Sequence, residues 1–471
     1  MTTSQTQQSF DFAIIGAGVV GTAIARELTQ YTSSVVLIDS LDDVGAGTSK
    51  ANTAILHTGF DMKPGTLESR LVSQGYKLLL EFARKSSISV EETGAILVAW
   101  NEAEVAELEH IQARAVENGY LKTQLISSQE IYDREPHLGR GALAGLEVPD
   151  EFIIDPWSVS VAFATQAKIR GAEVRLNSEV TSVSEENGAY SLTTTSGVIK
   201  TKFVINAAGL YSDWIDTLFG FNDLVITPRR GELIVFDKLS RKLVNHIILP
   251  VPTKMGKGVL ISPTIFGNVM LGPTAVDVTD KNDKSVTEAG IEFLLEKGRK
   301  LSPALLKEEI TTMYAGLRAA SNQTDYMIKK HENASVITVG GIRSTGLTAS
   351  MAIAQYVLSL IKKDTLLNAR FNVHDPIKMP VLGEAFLRPY QDENLIATRS
   401  SYGEIVCHCE RVSKGEIEDA MNSLLPPSSL SGLSRRTRAC LGRCQGFYCS
   451  AEVKEMLAEF SPSNNHVRNS L

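Results

Sequence analysis

Three sets of residues in this 471-residue chain have the types and spacing to do chemistry: five cysteines, a histidine in a loop of small residues, and an arginine after a β-branched run. All five cysteines lie between Cys407 and Cys449, and none occurs in the 406 residues before them. Cys407-His-Cys409-Glu410 opens the group and Cys440-Leu-Gly-Arg-Cys444-Gln-Gly-Phe-Tyr-Cys449 closes it, with 34 residues between Cys409 and Cys444. A disulfide framework spreads its cysteines through the fold, so this clustering points to a local metal site. Four thiolates serve either zinc or a [2Fe–2S] cluster, although zinc usually takes C-x2-C pairs and the C-x-C with C-x4-C found here is unusual for it. His57 sits near the end of the small-residue loop that runs from Gly45 to Gly59. An imidazole, with an ordinary pKa near 6.5, is suited to take a hydroxyl proton at neutral pH while an alcohol is oxidised. A structural histidine touching the backbone of a cofactor site is the alternative. Arg318, in Gly316-Leu-Arg318, follows a predicted strand over residues 311–315, and its planar fork suits two oxygens of a carboxylate or phosphate. A surface arginine is the alternative there.

The elements that must position these groups begin at the N-terminus. Phe12-Ala-Ile-Ile15 reads as a buried strand, Gly16-Ala-Gly18-Val-Val-Gly21 as a glycine turn, and residues 22–30 as a helix. Val35-Val-Leu-Ile38 is a second strand ending in Asp39, 18 residues past Gly21. This is the dinucleotide fingerprint. The first glycine permits the tight turn, the second lets a pyrophosphate approach the backbone, and the third allows helix to pack on strand. The phosphates then meet the positive end of the helix, and Asp39 can accept from both ribose hydroxyls, which disfavours a 2′-phosphate. Further on, residues 104–116 carry an amphipathic pattern with Val105, Leu108, Ile111 and Ala115 on one face and Gly119 past the end. Residues 225–274 are short β-branched runs broken by Pro, Gly and Asn, and predict a sheet over the cofactor. Pro376, Pro380 and Pro389 mark residues 376–403 as connecting chain.

Composition narrows the function classes. Hydrophobic residues are 43% and charged residues 21%, enough for a real core and unlike a disordered chain. Lys plus Arg is 47 against Asp plus Glu 54, a net charge of −7, which argues against nucleic-acid binding and a polybasic membrane anchor. The length predicts about three domains. No signal peptide or apolar run of membrane-spanning length is visible, so the expectation is a cytoplasmic protein, with peripheral attachment at the inner membrane left open.

The fingerprint together with Gly45-Ala-Gly-Thr-Ser-Lys-Ala-Asn-Thr-Ala-Ile-Leu-His-Thr-Gly59 resembles the FAD-binding start of the D-amino-acid-oxidase-like flavoprotein superfamily. Within it the chain is most similar to glycerol-3-phosphate dehydrogenases and oxidases and to L-2-hydroxyglutarate dehydrogenases. Lys63-Pro-Gly-Thr-Leu67, Val204-Ile-Asn-Ala-Ala-Gly-Leu210, Thr227-Pro-Arg-Arg-Gly231 and Gly340-Gly-Ile-Arg-Ser-Thr-Gly346 match further segments. The resemblance implies a fold of α/β and α+β class. A Rossmann-like FAD-binding domain (1–85, 150–225 and 335–378) would be interleaved with a mixed-sheet substrate domain (86–149 and 226–334). It implies FAD contacts from Gly16, Gly18, Gly21, Asp39, Ser49, Asn52, Thr53, Val180, Ala208, Gly209, Gly341, Gly346, Leu347 and Thr348. His57 would be the base as hydride leaves carbon for the flavin, Arg318 and Lys257 would hold the anionic group, and Ser344 would hydrogen-bond the substrate. Arg343 and Thr345 depart from the pattern, which commonly has an acid and a proline there; an added cation would mean a more acidic substrate, or a surface substitution.

The C-terminal cysteines resemble the bacterioferritin-associated-ferredoxin-like [2Fe–2S] domain, which also occurs fused to anaerobic-type glycerol-3-phosphate dehydrogenases and to some amine and opine oxidases. The resemblance implies a small helical domain over 404–462 after a connector at 379–403, with Cys407, Cys409, Cys444 and Cys449 as ligands. Cys440 stands where relatives commonly have glycine and reads as a bystander. No acid occurs from Ala420 to Ala451 while Arg435, Arg436, Arg438 and Arg443 do, which suggests guanidinium groups balancing an anionic cluster; a solvated basic face or a docking patch for a partner is the alternative.

Taken together the resemblance implies an FAD-dependent dehydrogenase of a small anionic hydroxy compound, sn-glycerol 3-phosphate first. Electrons would pass through the [2Fe–2S] cluster to an external acceptor: a quinone, a partner subunit or another carrier. L-2-hydroxyglutarate or another 2-hydroxy acid, an amine or amino acid, and a non-catalytic redox or assembly subunit are the alternatives.

Overall fold

The computed structural model describes residues 8–252, 258–363, 365–370 and 376–460. Its organising element is the strand Ser9–Ile15, whose apolar end is buried on both faces, as expected for the centre of a parallel sheet. Val35–Ile38 lies parallel to it on one side and Gly197–Asn206 on the other, in registers Ile15↔Ile38 and Ile15↔Asn206. Glu173–Arg175 extends the sheet beyond Val35–Ile38, and Val336–Gly340 joins Gly197–Asn206, again parallel. The antiparallel strands Val180–Glu186, Ala189–Thr194 and Met327–Lys330 bring the sheet to eight. Met327–Lys330 falls within the stretch 226–334 expected for the substrate domain, yet it hydrogen-bonds to Val336–Gly340 of this first sheet.

The parallel strands end together. Gly16, Asp39, Ala208 and Gly341 therefore come to one edge, the carboxyl end at which open α/β sheets take their ligands. Helix Gly346–Ile361 packs against both Val19–Leu28 and Leu67–Lys85 in the same core. The closest approach is at Gly75, where an added Cβ would stand 2.3 Å from the Thr348 carbonyl oxygen.

A second sheet of nine strands carries the long antiparallel pair Ile226–Phe236 and Ile310–Ser321, in register from Ile226↔Ser321 to Val235↔Thr312, with a shift before Phe236↔Ile310. Helix Glu102–Glu117, capped by the Asn101 side chain, buries Leu108, Ile111 and Ala115 against this sheet, as the amphipathic pattern predicted. Helix Glu288–Leu301 covers another part through Leu294.

The C-terminal module comprises strands Ile405–Cys407 and Val412–Ser413 and helices Lys414–Met421, Leu430–Thr437 and Ser450–Glu459. Val406, Val412, Ile417, Leu433 and Val453 form its small core. Residues 379–403, expected as a connector, hold short helical turns and fold onto the module, with buried Arg388 donating to Glu416 at 2.8 Å. Among the described residues no helix is long and apolar enough to cross a membrane.

Candidate active site and cofactor cradles

The glycine turn is built as its spacing predicted. Gly16 has φ +107°, open to glycine, and a Cβ there would lie 2.4 Å from the Ala207 carbonyl; one on Gly21 would lie 1.8 Å from the Gly16 carbonyl. Helix Val19–Leu28 starts directly above, with the Ser49 hydroxyl accepting from the Val19 N–H at 2.9 Å. Asp39 takes the Ala17 N–H at 2.6 Å on Oδ2 and the Leu41 N–H at 2.8 Å on Oδ1. Burial pushes the Asp39 carboxyl up, and these N–H donors pull it back part of the way. Asn52 shapes the next turn by donating to the Ser49 carbonyl and accepting from the Ala54 N–H, and Thr53 lies half-buried beside it. Val180 is buried with Ile15 and Ile38, Ala208 and Gly209 follow the strand end at Asn206, and Gly341 turns at φ +67°. Gly346, Leu347 and Thr348 form the first turn of helix Gly346–Ile361.

That turn reaches His57. The Thr348 hydroxyl accepts the His57 backbone N–H at 3.0 Å, so the helix start fixes the end of the loop. The imidazole Nδ1 lies 3.0 Å from Oε2 of Glu151, whose side chain is wholly buried. The other glutamate oxygen accepts from the Thr58 N–H at 2.6 Å and the Thr58 hydroxyl at 2.9 Å. A carboxylate only accepts, so Nδ1 is the donor of this pair, and Nε2 has no partner among the described residues.

The same loop meets the arginine strand at its other end. Thr48 donates to the Leu317 carbonyl at 2.9 Å, Tyr314 donates to the Asn52 carbonyl at 3.1 Å, and Gly316 abuts Ala51, where a Cβ would stand 2.7 Å from the Ala51 carbonyl oxygen. Arg318 follows on this strand. Its contacts to the Thr274 carbonyl are long, 3.4 and 3.5 Å, and no carboxylate pairs with it among the described residues. Burial, and then the charge of Arg229, pull its pKa below the ordinary arginine value. A desolvated guanidinium of this kind is disposed to take an anion. Arg229 and Arg230, by contrast, are paired with Asp277 and Asp283. Ser344 is exposed at the rim. Arg343 donates to the Thr324 carbonyl at 2.9 Å and lies 3.5 Å from Glu68, so its charge is compensated within the chain. Lys257 lies outside the described residues.

In the C-terminal module the thiols gather in pairs: Cys407 beside Cys449 and Cys409 beside Cys444. Burial pushes the Cys407 thiol up to about 11, against N–H donors from Cys440 and Glu410. At Cys444 burial also acts upward, but the N–H of Tyr448, the Cys409 thiol and the N–H groups of Gly446 and Phe447 outweigh it, and its pKa falls below the ordinary thiol value. Cys440 Sγ is 3.6 Å from Cys449 Sγ. Its φ of +68° is the left-handed conformation that glycine adopts freely.

A family model described as FAD dependent oxidoreductase matches residues 11–360, and one described as BFD-like [2Fe-2S] binding domain matches residues 405–459. The chain belongs to the FAD dependent oxidoreductases. This oxidoreductase is 34% identical over 452 residues to a glycerol 3-phosphate dehydrogenase of Caloramator mitchellensis, covering 95% of its own length and 94% of the relative. It is also similar to human mitochondrial L-2-hydroxyglutarate dehydrogenase, at 31% over 66% of this chain and 72% of that one. Among solved structures, dithionite-reduced L-α-glycerophosphate oxidase from Mycoplasma pneumoniae with FAD bound superposes with a TM-score of 0.76 at 31% identity, over 79% of this chain and all of the other. The oxidoreductase is thus of the glycerol-3-phosphate dehydrogenase/oxidase type, and its cofactors are FAD and a [2Fe–2S] cluster.

The residues present fit both groups. For FAD the fit is the bare-backbone turn at Gly16 and Gly18, the helix start above it and the carboxylate at the end of the second strand. For the cluster it is the donor set: four thiols, Cys407 beside Cys449 and Cys409 beside Cys444, with N–H groups donating to sulfur, which would hold a [2Fe–2S] group.

Two points differ from the sequence reading. The arginines of helix Leu430–Thr437 and the loop after it do not stand free around the cluster: Arg435 and Arg436 bind Asp43, Arg438 binds Glu410, and Arg443 binds Asp237 and Glu309. Arg435, Arg436 and Arg443 dock the module onto the rest of the chain, whereas the Arg438–Glu410 pair lies within it. Glu151, which orients His57, was not singled out at all. It lies 94 residues away in sequence, in a turn before strand Phe152–Ile154, and only the antiparallel pairing of that strand with Ile55–Leu56 brings the two together.

Proposed function

We propose that this enzyme oxidises sn-glycerol 3-phosphate to dihydroxyacetone phosphate as a dehydrogenase, passing electrons through its [2Fe–2S] cluster to an external acceptor. The observation that carries this reading is the similarity to the Caloramator mitchellensis dehydrogenase, which runs along 95% of the chain and so spans the flavin and cluster regions alike. An oxidase has no need of a one-electron relay. In its domains, residues 1–85, 150–225 and 335–378 bind FAD together with the strand Met327–Lys330, 86–149 and the rest of 226–334 enclose the substrate, and 404–462 hold the cluster.

Arg318 grips the phosphate with its fork, and Lys257 supplies a second cation. Ser344 hydrogen-bonds the substrate at the rim. His57 Nε2 takes the proton of the C2 hydroxyl, and Glu151 accepts Nδ1–H and steadies the imidazolium that forms. Asp39, Ser49 and the glycine turn hold the adenosine and pyrophosphate end of FAD. Bound FAD supplies a two-electron acceptor and the cluster a one-electron centre.

The test is anaerobic mixing of the holoenzyme with glycerol 3-phosphate, L-2-hydroxyglutarate and amino acids in turn, following flavin absorbance near 450 nm. Fast bleaching by glycerol 3-phosphate alone is expected, followed by the EPR signal of a reduced [2Fe–2S] cluster. Faster bleaching by L-2-hydroxyglutarate would move the assignment to that substrate, with Arg318 gripping carboxylate.

A further inference from the structure

The loop between Asp39 and Ser49 contains a carboxylate that neither the chemistry nor the fingerprint uses. Asp43 is buried, and its partners come from the far end of the chain. Arg436 donates from Nη1 to Oδ2 at 2.6 Å and from Nη2 to Oδ1 at 2.8 Å, and Arg435 Nη2 donates to Oδ2 at 2.7 Å. Both guanidinium groups are buried as well. Gly432, on the same helix, lies bare against this carboxylate, where a Cβ would stand 2.8 Å from Asp43 Oδ2. The Ser428 hydroxyl donates to the Asp42 carbonyl at 3.0 Å.

The other side of the loop reaches the nucleotide cradle directly. Asp43 Oδ1 also accepts the Val44 N–H at 2.9 Å, and the Gly45 N–H donates to the Ala17 carbonyl in the glycine turn at 2.8 Å. Residues 40–47 contain no helix or strand that would hold them in place. A second tie lies further along, where Trp157 Nε1 donates to the Lys50 carbonyl at 3.0 Å and stacks on Phe266 at 5.0 Å, with Arg438 over the Phe266 ring at 4.2 Å. A buried carboxylate deprived of its guanidinium partners is a strongly unfavourable arrangement, so the loop would have to move to rehydrate it.

We propose that Arg435 and Arg436 are positioning residues of the FAD site: the cluster module clamps the nucleotide loop through Asp43, and FAD affinity depends on that clamp. The proposal rests on the assignment of Asp39 and Ser49 to FAD. It is tested on the full chain by titrating FAD into deflavinated protein and following flavin fluorescence, with iron content and EPR as a separate readout of the module. Arg435→Met/Arg436→Met and Asp43→Asn are each expected to raise the FAD dissociation constant about tenfold or more with the [2Fe–2S] signal retained. Arg443→Ala, which breaks only the pairs with Asp237 and Glu309, is expected to stay within about twofold. An unchanged FAD affinity in Asp43→Asn overturns the clamp. Should the double variant lose its cluster signal, Asp43→Asn decides alone, because it removes the charge and keeps the shape. Asp39→Ala separates the two levels: if it leaves FAD affinity unchanged, the nucleotide assignment is wrong, whereas weakening there with none in Asp43→Asn rejects the clamp only.

Discussion

His57 and His246 are held in almost the same way. Each presents Nδ1 to a buried glutamate, Glu151 at 3.0 Å and Glu135 at 2.7 Å. Each glutamate is further satisfied by backbone N–H groups, from Thr58 in one case and from Asn245 and His246 in the other. In both, the pairing leaves Nε2 without a partner among the described residues. The surroundings differ. Glu135 ends helix Ser128–Arg134, and Asn245 donates to the Arg134 carbonyl, so this pair fastens a helix end to the start of strand Ile247–Pro250. Around His57 the same device stands between the first turn of Gly346–Ile361 and a loop that touches the strand bearing a half-buried arginine with no carboxylate partner among the described residues. A histidine–glutamate pair is therefore an orienting device, and chemistry is assigned by what the free nitrogen faces.

The contrast is broken most directly by removing each imidazole. His57→Ala is expected to slow anaerobic flavin reduction by about 10²–10⁴-fold, while His246→Ala stays within about threefold in the same stopped-flow assay. Equal losses in the two would show that His57 serves structure only. Next in size is Glu151→Gln. An amide can donate to Nδ1 and turn the imidazole so that Nε2 carries the proton, so kcat should fall about tenfold to a hundredfold with KM nearly unchanged. A rise in KM with kcat preserved would place Glu151 in substrate binding instead.

What was legible in the sequence follows how far each interaction reaches along the chain. The turn from Gly16 to Gly21 and the thiols from Cys440 to Cys449 are local, and their spacing carries the geometry. His57 is marked by its loop. Glu151 carries no such mark, because its partner is brought to it by a pairing of two short strands. The arginine run was misread for the same reason. An acid-free stretch looks like free positive charge, but the Asp43 that neutralises it is 392 residues from Arg435 and 393 from Arg436. Cys440 is the converse case: the structure supplies the reason glycine suits that place, a φ of +68°.

Smaller effects test the structural half of the comparison. His246→Ala leaves the Glu135 oxygens with their backbone donors but without the imidazole, and should cost about 1–3 kcal/mol of stability, read as a lower urea midpoint with activity retained. The smallest expected effect lies at His331, which has no carboxylate in direct contact among the described residues. Its Nε2 meets the Thr338 hydroxyl at 2.8 Å, that hydroxyl donates on to Asp216 at 2.5 Å, and its ring stacks on Phe221 with centroids 3.5 Å apart. Burial, then the Lys329 charge, lower the His331 pKa, and Asp223 offsets this only in part. The folded protein therefore binds this proton less readily than the unfolded chain. Below the unfolded value of about 6.5 the unfolded state holds more protons, so stability falls as pH drops through that point and is regained above it. Urea unfolding at pH 5.5 and 7.5 should show a smaller loss on acidification in His331→Gln than in the wild type. Identical losses would mean that the folded chain accommodates imidazolium at His331 as readily as water does, and that the stack on Phe221 costs the proton nothing.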